Sequence, residues 1–352
     1  MLPTLAYGDA VGNNVLALRD ALLDRKINTQ IYAENIDKKL PEGTALPFEK
    51  YIDDDSTVII FHLSIGSEMS SYLKSFKARK VFIYHNVTPP HFFEHYDSNL
   101  KKLCENGIET VKKLKNIPDF CIAVSSYNKS DLIRLGYTCP IDVLPIVINF
   151  DDYEKEANER IIQKFSDGKY TNIVFTGRIA PNKKQEDLIK SFYYYHTYVN
   201  PFSRLFIVGS GDDSAYGKKL KKYIEMLELD SIYLTGHVSF SDILAYYKVA
   251  DIFLCMSEHE GFCVPLVEAM YFGVPIIAYD SSAIKETLGG CGLLLDTKDP
   301  KVVSEAINLV QSDKDLNEKM ILLEENRLKT FNNDEIKERF IQILNDRLNL
   351  NL

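Results

Sequence analysis

The fold is decided by the stretch Ser257-Glu258-His259-Glu260-Gly261-Phe262-Cys263-Val264-Pro265-Leu266-Val267-Glu268-Ala269-Met270. The short apolar run before it, residues 251–256, predicts a strand. Pro265 suits the first turn of a helix, and Gly273 predicts where that helix ends. The stretch therefore predicts a strand that turns directly into a helix at the carboxyl edge of a sheet.

Two carboxylates flank this turn. Glu260 precedes the predicted helix, and Glu268 lies about one turn inside it. The backbone N–H groups that open a helix bind anions, phosphates above all. Carboxylates accept hydrogen bonds from sugar hydroxyls. The pattern therefore indicates a site for a phosphorylated polyol.

Composition narrows the class of protein. A chain of 352 residues with 45% hydrophobic and 26% charged residues is ordinary for a globular protein and favours two domains. The net charge of −9 argues against a nucleic-acid partner. No apolar run approaches the roughly 18 residues of a spanning helix, and no signal peptide is visible, so we expect a cytoplasmic protein. The scattered cysteines lack a CxxC pair, which predicts reduced thiols.

Basic residues cluster in the first half of the chain. The clusters are Lys74, Lys77, Arg79 and Lys80, followed by Lys101, Lys102, Lys112, Lys113 and Lys115. Two interpretations stay open. The residues form solvated helix faces, or they form a patch for an anionic membrane surface or a phosphorylated acceptor.

Strand-like and helix-like runs alternate along the whole chain, which predicts two parallel sheets with helical crossovers. The predicted strands are residues 29–32, 58–61, 81–84, 120–124 and 141–144, then 172–176, 205–208, 232–235, 251–255, 274–278 and 293–295. A polar, acidic segment near residues 145–159 separates the halves. Only residues 1–6 precede the turn at residues 8–12, so the first strand is short or residues are missing before it.

Three loops of the second half follow predicted strands. Gly177 allows a tight turn after its strand. Arg178 and Lys183, five residues apart, can then place two cations on one anion. Gly209-Ser210-Gly211 indicates a tight turn beside a ligand, because the third glycine of a dinucleotide motif is replaced by Ser214. The backbone of Gly236-His237-Val238 faces a nucleobase or belongs to an ordinary loop with a surface histidine.

The first half offers weaker candidates. His62 and His85 each end a predicted strand, where the active sites of parallel sheets gather, although a lone histidine is more often structural. Asp53-Asp54-Asp55 precedes a strand and so lies at the wrong sheet edge for a metal site. We interpret it as a solvated turn.

Together these residues resemble the retaining glycosyltransferases of family 4, which have the GT-B fold. Glu260 and Glu268 reproduce the family's Glu-x7-Glu signature, with Glu-Gly-Phe and Pro-Leu-Val-Glu-Ala-Met around it. The resemblance covers nearly the whole chain and is looser in the first half. The stretches 257–260 and 84–89 look like a branch that builds bacterial surface polysaccharides.

The resemblance implies an α/β architecture of two Rossmann-like parallel-sheet domains facing a cleft. The first domain, residues 1–148, would bind the acceptor. The second, residues 149–334, would bind a nucleotide sugar. The final helix, residues 335–352, would cross back onto the first domain.

The resemblance also implies residue roles. Four residues would be catalytic. Glu260 would hold hydroxyls of the donor sugar, Arg178 and Lys183 would neutralise the leaving diphosphate, and His85 would lie near the sugar and the acceptor. Glu268 would bind the ribose hydroxyls, and the remaining donor contacts would be Gly177, Gly209, His237, Val238, Gly261, Phe262, Cys263 and Val264. His62, Gly8, Asp9 and Gly12 would lie on the acceptor side. Asp9 stands where many members carry a Gly-Gly pair, and its carboxylate could bind an acceptor hydroxyl.

We therefore expect a cytoplasmic enzyme that moves a hexose from a UDP- or GDP-linked sugar to a hydroxyl of a glycan or lipid-linked glycan, with retention. Association of this enzyme with a membrane stays open. The family needs no metal or other cofactor, since cations and helix N–H groups stabilise the leaving group. Two alternatives remain open. One is a nucleotide-sugar hydrolase or epimerase on the same fold, and the other is a catalytically silent nucleotide-sugar-binding subunit.

Overall fold

The computed structural model describes residues 1–350, and its strands are short and parallel. In chain order they are β1 (Leu2–Leu5), β2 (Tyr32–Ile36), β3 (Leu46–Pro47), β4 (Val58–Leu63), β5 (Arg79–Tyr84), β6 (Phe120–Ala123), β7 (Ile141–Val143), β8 (Thr171–Thr176), β9 (Ser203–Val208), β10 (Ile232–Gly236), β11 (Ile252–Cys255), β12 (Ile276–Tyr279) and β13 (Leu293–Leu295).

Helices connect most of these strands. They are α1 (Ala10–Asp24), α2 (Ser98–Lys113), α3 (Ser126–Arg134), α4 (Glu159–Phe165), α5 (Gln185–Tyr198), α6 (Ala215–Met226), α7 (Phe240–Lys248), α8 (Val264–Tyr271), α9 (Ile284–Leu288), α10 (Pro300–Ser312), α11 (Lys314–Leu328) and α12 (Asn333–Leu348). No helix within residues 1–350 is both long enough and apolar enough to cross a membrane.

The chain forms two compact units. The first contains residues 1–91, 98–149 and 331–350, and the second contains residues 92–97 and 150–330. The sequence predicts domain boundaries at 148/149 and 334/335. It assigns the short segment 92–97 to the first domain, whereas the structure groups that segment with the second unit.

The first unit holds a sheet of order β1-β2-β3 and a sheet of order β4-β5-β6-β7. The sheets meet at Met1, whose carbonyl accepts a hydrogen bond from the His62 amide at 2.8 Å. Helix α12 belongs to this unit, as the resemblance implies, and buries Phe340 and Leu344. Near its end, Arg347 pairs with Asp142 of β7 at 2.8 Å.

The second unit is built on one six-stranded parallel sheet of order β10-β9-β8-β11-β12-β13. Its four central strands are buried on both faces because crossover helices cover them, as β8 illustrates with all six residues buried. In a parallel sheet, the loops that follow the strands all emerge at one edge. The loops after β8, β9, β10, β11 and β12 are therefore neighbours.

Most predicted strands are present with shifted ends, but the first sheet differs from prediction. The strand predicted at residues 29–32 is wrong, since β2 begins at Tyr32 and runs to Ile36. The sequence of β2 shows no apolar run, because Glu34 and Asn35 are polar and only Ala33 of this strand is fully buried. The first strand is short, four residues, and β3 was not predicted.

Candidate active site

Glycines let the loops after β8, β9 and β10 pack against one another. A Cβ atom on Gly209 would lie 2.1 Å from the carbonyl oxygen of Gly177, and both residues have φ angles, 151° and 142°, that favour glycine. A Cβ atom on Gly236 would lie 2.9 Å from Oδ1 of Asp212. The structure thus brings the predicted donor loops together, and it explains why glycine is needed there.

The loop after β8 is tied to the loop after β11 through Asn182. The Asn182 side-chain amide donates to the carbonyl of His259 at 3.0 Å, and the Glu258 amide donates to the carbonyl of Asn182 at 2.8 Å. Asn182 is buried. Sequence reasoning missed this residue, although it lies directly before Lys183.

Lys183 and Glu260 form an ion pair across these two loops. The Lys183 Nζ atom lies 2.5 Å from Oε1 and 2.6 Å from Oε2 of Glu260. Burial opposes the charge on Lys183, but Glu260 outweighs it and raises the pKa of the lysine. The Glu260 backbone amide donates to Oγ of Ser282 at 2.8 Å, so the loop after β12 also holds the backbone of this residue in place.

Arg178 is exposed, unlike Lys183. Its carbonyl accepts a hydrogen bond from the Gln185 side chain at 3.1 Å. Its guanidinium makes no hydrogen bond or ion pair with any residue in the described part of the chain. An unpaired guanidinium on the loop that also carries Lys183 gives this edge of the sheet a cation available to a ligand.

Glu268 lies inside helix α8, as predicted, and tyrosine hydroxyls occupy both of its oxygens. The Tyr153 hydroxyl donates to Oε1 at 3.0 Å and the Tyr247 hydroxyl donates to Oε2 at 2.7 Å. Burial raises the pKa of Glu268, and the two hydroxyls oppose that rise. Neither tyrosine was a predicted site residue.

Helix α8 begins at Val264, which agrees with the predicted helix opening. Cys263 caps it in a left-handed conformation with φ 75°, without a side-chain hydrogen bond. The Thr287 hydroxyl donates to the carbonyl of Phe262. Gly261, Phe262 and Cys263 therefore form a fixed turn between β11 and α8, as the strand-to-helix pattern predicts.

Further ion pairs surround the loop that carries Glu260. Glu258 pairs with Lys184 at 3.3 Å and also contacts Lys298. Lys298 in turn lies 2.9 Å from Asp187. These contacts fix the loop in addition to Ser282, and the local sequence does not indicate them because the partners come from separate segments.

His237 and Val238 follow β10 as predicted. His237 is exposed, and Val238 packs against the buried cluster that includes Phe206 and Tyr246. Their predicted contact with a nucleobase stays a prediction.

In the first unit, His62 and His85 form a buried pair at the carboxyl ends of β4 and β5. Nδ1 of His62 lies 2.9 Å from Nε2 of His85, and the rings stack with centroids 5.2 Å apart. Burial lowers the pKa of His85 to about 4 and holds that of His62 well below its ordinary value. Nδ1 of His85 is buried without a partner among residues 1–350.

The predicted acceptor loop begins helix α1. Asp9 caps this helix, since its carboxylate accepts from the Gly12 amide at 3.3 Å. Gly8 has φ 74°, and a Cβ atom on Gly12 would lie 2.8 Å from the carbonyl of Ala6. The structure thus gives all three residues a local role, and their acceptor contacts stay predictions.

Comparisons with known proteins agree with this architecture. Residues 156–327 match the family model described as Glycosyl transferases group 1. One relative, the GDP-mannose-dependent alpha-(1-6)-phosphatidylinositol monomannoside mannosyltransferase of Mycobacterium tuberculosis, is 25% identical over 218 residues, 58% of this chain and 56% of its own length. Another, O-antigen chain mannosyltransferase B of Escherichia coli, is 24% identical over 243 residues, 67% of this chain and 62% of its own.

A solved structure covers more of the chain. Anabaena HepE in complex with UDP-glucose superposes with a TM-score of 0.70 over 98% of this chain and 99% of that one, at 18% identity. The two-unit arrangement of parallel sheets is the GT-B fold. Within it, residues 156–327 are a domain of the group 1 glycosyl transferases. The alignments with the two curated relatives span 56% and 62% of those proteins.

Proposed function

We propose that this protein is a retaining glycosyltransferase of family 4 that transfers a hexose from a nucleotide sugar to a hydroxyl acceptor without a metal ion. The observation that carries the proposal is the Lys183–Glu260 ion pair beside the exposed Arg178, at the carboxyl edge of the second unit's sheet. Fixed cations at such an edge suit a diphosphate leaving group.

The charges of this site favour a ligand that is anionic and also carries hydroxyls. Lys183 and Glu260 neutralise each other, so Arg178 supplies the excess positive charge for the diphosphate. Glu260 keeps lone pairs that can accept from sugar hydroxyls, because each carboxylate oxygen accepts more than one hydrogen bond. Lys183 therefore contacts the diphosphate while it holds Glu260 against the sugar.

In the reaction we propose, the bond from the anomeric carbon to the diphosphate breaks as the acceptor oxygen approaches from the same face. The departing diphosphate takes the acceptor proton, and the acceptor oxygen forms the new glycosidic bond. Glu260 is not the nucleophile in this scheme, since the ammonium of Lys183 contacts both of its oxygens. Alignment and charge stabilisation supply the rate acceleration.

The proposal includes both UDP-linked and GDP-linked sugars as donors. The named Mycobacterium relative depends on GDP-mannose, and the Anabaena structure contains UDP-glucose. The two curated relatives suggest the acceptor class, because the name of the Mycobacterium relative gives a phosphatidylinositol monomannoside and that of the Escherichia coli relative gives an O-antigen chain. A glycan or lipid-linked glycan acceptor, reached in the cytoplasm with peripheral membrane contact, fits the exposed Lys102, Lys112, Lys113 and Lys115 of the first unit.

A thermal-shift screen with UDP- and GDP-linked hexoses tests the proposal. A nucleotide sugar that raises the melting temperature more than its free nucleotide identifies base and sugar together. Incubation with that donor, with and without candidate acceptors, then separates transfer from hydrolysis or epimerisation. NMR of the product anomer reports retention, and activity that survives a chelator supports a metal-free reaction. Donor binding without any product would favour the catalytically silent subunit.

A further inference from the structure

A hydrogen-bond network around Glu268 adds residues to the proposed ribose site. Tyr153 donates to one carboxylate oxygen at 3.0 Å, and Tyr247 donates to the other at 2.7 Å. The Tyr247 hydroxyl also contacts Oγ1 of Thr176, and a longer contact of 3.3 Å joins it to the carbonyl of Pro265. These residues come from four separate segments of the second unit.

The direction of these hydrogen bonds follows from the charge states. Burial raises the pKa of both Tyr153 and Tyr247 far above the ordinary range, so both phenols keep their hydrogen and act as donors. Tyr247 has one hydrogen, and a carboxylate can only accept, so that hydrogen goes to Glu268, which is closer than the carbonyl of Pro265. Thr176 must then donate to the Tyr247 oxygen. The chain of donation runs from Thr176 through Tyr247 to the carboxylate.

The network leaves a defined acceptor capacity on Glu268. A carboxylate has about four lone-pair positions, two on each oxygen. The tyrosines use one position on each oxygen, so one remains on each. Two acceptor positions side by side match a vicinal diol, in which both hydroxyls donate.

We propose that Tyr153 and Tyr247 are positioning residues, which orient the Glu268 carboxylate so that its two remaining acceptor positions receive the vicinal hydroxyls of the donor ribose. The inference rests on the proposed function, in which Glu268 binds that ribose. The tyrosines touch no ligand themselves and act through the carboxylate.

Aromatic packing holds both tyrosine rings independently of their hydroxyls. The Tyr153 ring lies in the short helical turn Phe150–Glu154, with its centroid 5.2 Å from that of Tyr271 and 5.9 Å from that of Phe272. The Tyr247 ring stacks on Phe272 at 5.1 Å and an angle of 6°. A phenylalanine at either position therefore keeps the ring packing and removes the hydroxyl that donates to Glu268. At position 247 the hydroxyl of Thr176 also loses its acceptor.

Tyr271 provides the matched control. Its ring belongs to the same aromatic cluster, but its hydroxyl contacts Glu154 and not Glu268. Tyr271→Phe removes a hydroxyl from the cluster without changing the donors to the ribose carboxylate.

Calorimetric titration with UDP and GDP, and with their 2′,3′-dideoxy counterparts, tests the inference. Tyr153→Phe and Tyr247→Phe should each weaken binding of the ribonucleotide by about three- to tenfold, the usual range for the net contribution of one hydrogen bond. Binding of the dideoxynucleotide should not change. Tyr271→Phe should bind both nucleotides like the unaltered protein.

Each alternative result has a distinct meaning. Equal weakening for the ribo- and dideoxynucleotide would show that the tyrosines serve general structure, and unchanged ribonucleotide binding would show that they do not orient Glu268. Both results overturn the inference. If the unaltered protein binds neither UDP nor GDP, or binds ribo- and dideoxynucleotides equally, the ribose assignment within the proposed function fails first, and the inference fails with it.

Discussion

The buried polar pairs of the two units differ in charge. In the second unit, Lys183 and Glu260 are an ammonium and a carboxylate held at 2.5 Å. In the first unit, His62 and His85 are two imidazoles held at 2.9 Å, both with lowered pKa values. Burial is the main cause that lowers the pKa of both imidazoles, and His85 and the N-terminal amine lower that of His62 further. Attraction to Glu260 instead raises the pKa of Lys183 and keeps its charge.

This difference indicates what each unit can bind. A charged pair beside an exposed arginine suits a diphosphate ligand, because the cations are already in place and little reorganisation is needed. A neutral imidazole pair suits a hydroxyl, which donates or accepts a hydrogen bond without carrying charge. The division matches an enzyme that handles a charged donor and an uncharged acceptor.

The largest effect should come from breaking the charged pair. Lys183→Ala should lower kcat by about two to three orders of magnitude, as loss of one preorganised donor to a leaving oxyanion usually does. The measurement is kcat with the donor found in the thermal-shift screen. Lys190→Ala is the control, because Lys190 is exposed and pairs only with Asp187 at the surface.

A second variant separates this loss from unfolding. Lys183→Ala leaves Glu260 buried without its cation, which costs about 3–5 kcal/mol in such pairs. Lys183→Ala combined with Glu260→Gln removes that unpaired charge, so stability should recover while kcat stays low. Recovery of kcat in the double variant would contradict the assignment of Lys183 to the diphosphate.

Glu324 shows what a buried carboxyl does without a cation. One of its oxygens accepts from the Ile276 amide at 3.0 Å, and the other has no partner among residues 1–350. Burial raises its pKa from 4.5 to about 8. The folded protein therefore keeps the proton over a pH range in which the unfolded chain releases it.

The sign of the resulting pH dependence is set by this raised pKa. The contribution of the Glu324 carboxyl to the free energy of unfolding is complete below about pH 4.5. It is lost as pH rises towards about 8, by about 1.4 kcal/mol per pH unit. Glu324→Gln should remove that slope from the free energy of unfolding, measured by urea denaturation across this range. Glu325→Gln, at an exposed neighbour, should retain it. An unchanged slope in Glu324→Gln would show that the carboxyl is ionised in the folded protein.

Removal of the Glu268 carboxylate should have a smaller effect. Glu268→Ala should weaken binding of UDP or GDP by about tenfold, since the two hydrogen bonds proposed to the ribose are lost and each contributes about 0.5–1.5 kcal/mol net. Calorimetry measures the affinity directly, with Glu305→Ala as an exposed control. Unchanged affinity would show that Glu268 does not bind the nucleotide. It would not contradict the assignment of Lys183 to the diphosphate.

The smallest effect concerns the imidazoles. Since the pKa of His85 is about 4 and that of His62 lies well below its ordinary value, neither ring gains a proton between about pH 6 and pH 8. The ratio of kcat for His85→Asn to kcat for the unaltered enzyme should therefore stay constant over this range. A ratio that rises towards one near pH 6 would show that His85 titrates there, and the contrast between the two units would fail.

Much of the second unit could be predicted from its sequence. The strand-to-helix turn before Glu268 and the glycine turns after β8 and β9 are local patterns, and local patterns determine local backbone. The partners of Glu268 could not be predicted in this way. Tyr153 lies 115 residues away along the chain, and only the folded sheet brings the two together.

The first unit was harder to predict for the same reason. Each histidine is a single residue at a strand end, and the sequence leaves a structural and a functional interpretation open. Their contact depends on the register of β4 and β5, in which His62 lies opposite Ile83. Strand β2 was misplaced because its burial pattern does not alternate cleanly.

The central claim is that the charged pair in the second unit holds the donor diphosphate. The most direct test is the calorimetric affinity for UDP against UMP and for GDP against GMP, in the unaltered protein and in the Lys183→Ala, Glu260→Gln double variant. We predict that the unaltered protein prefers one diphosphate over its monophosphate and that the double variant loses most of this preference. An equal preference in both proteins would contradict the claim.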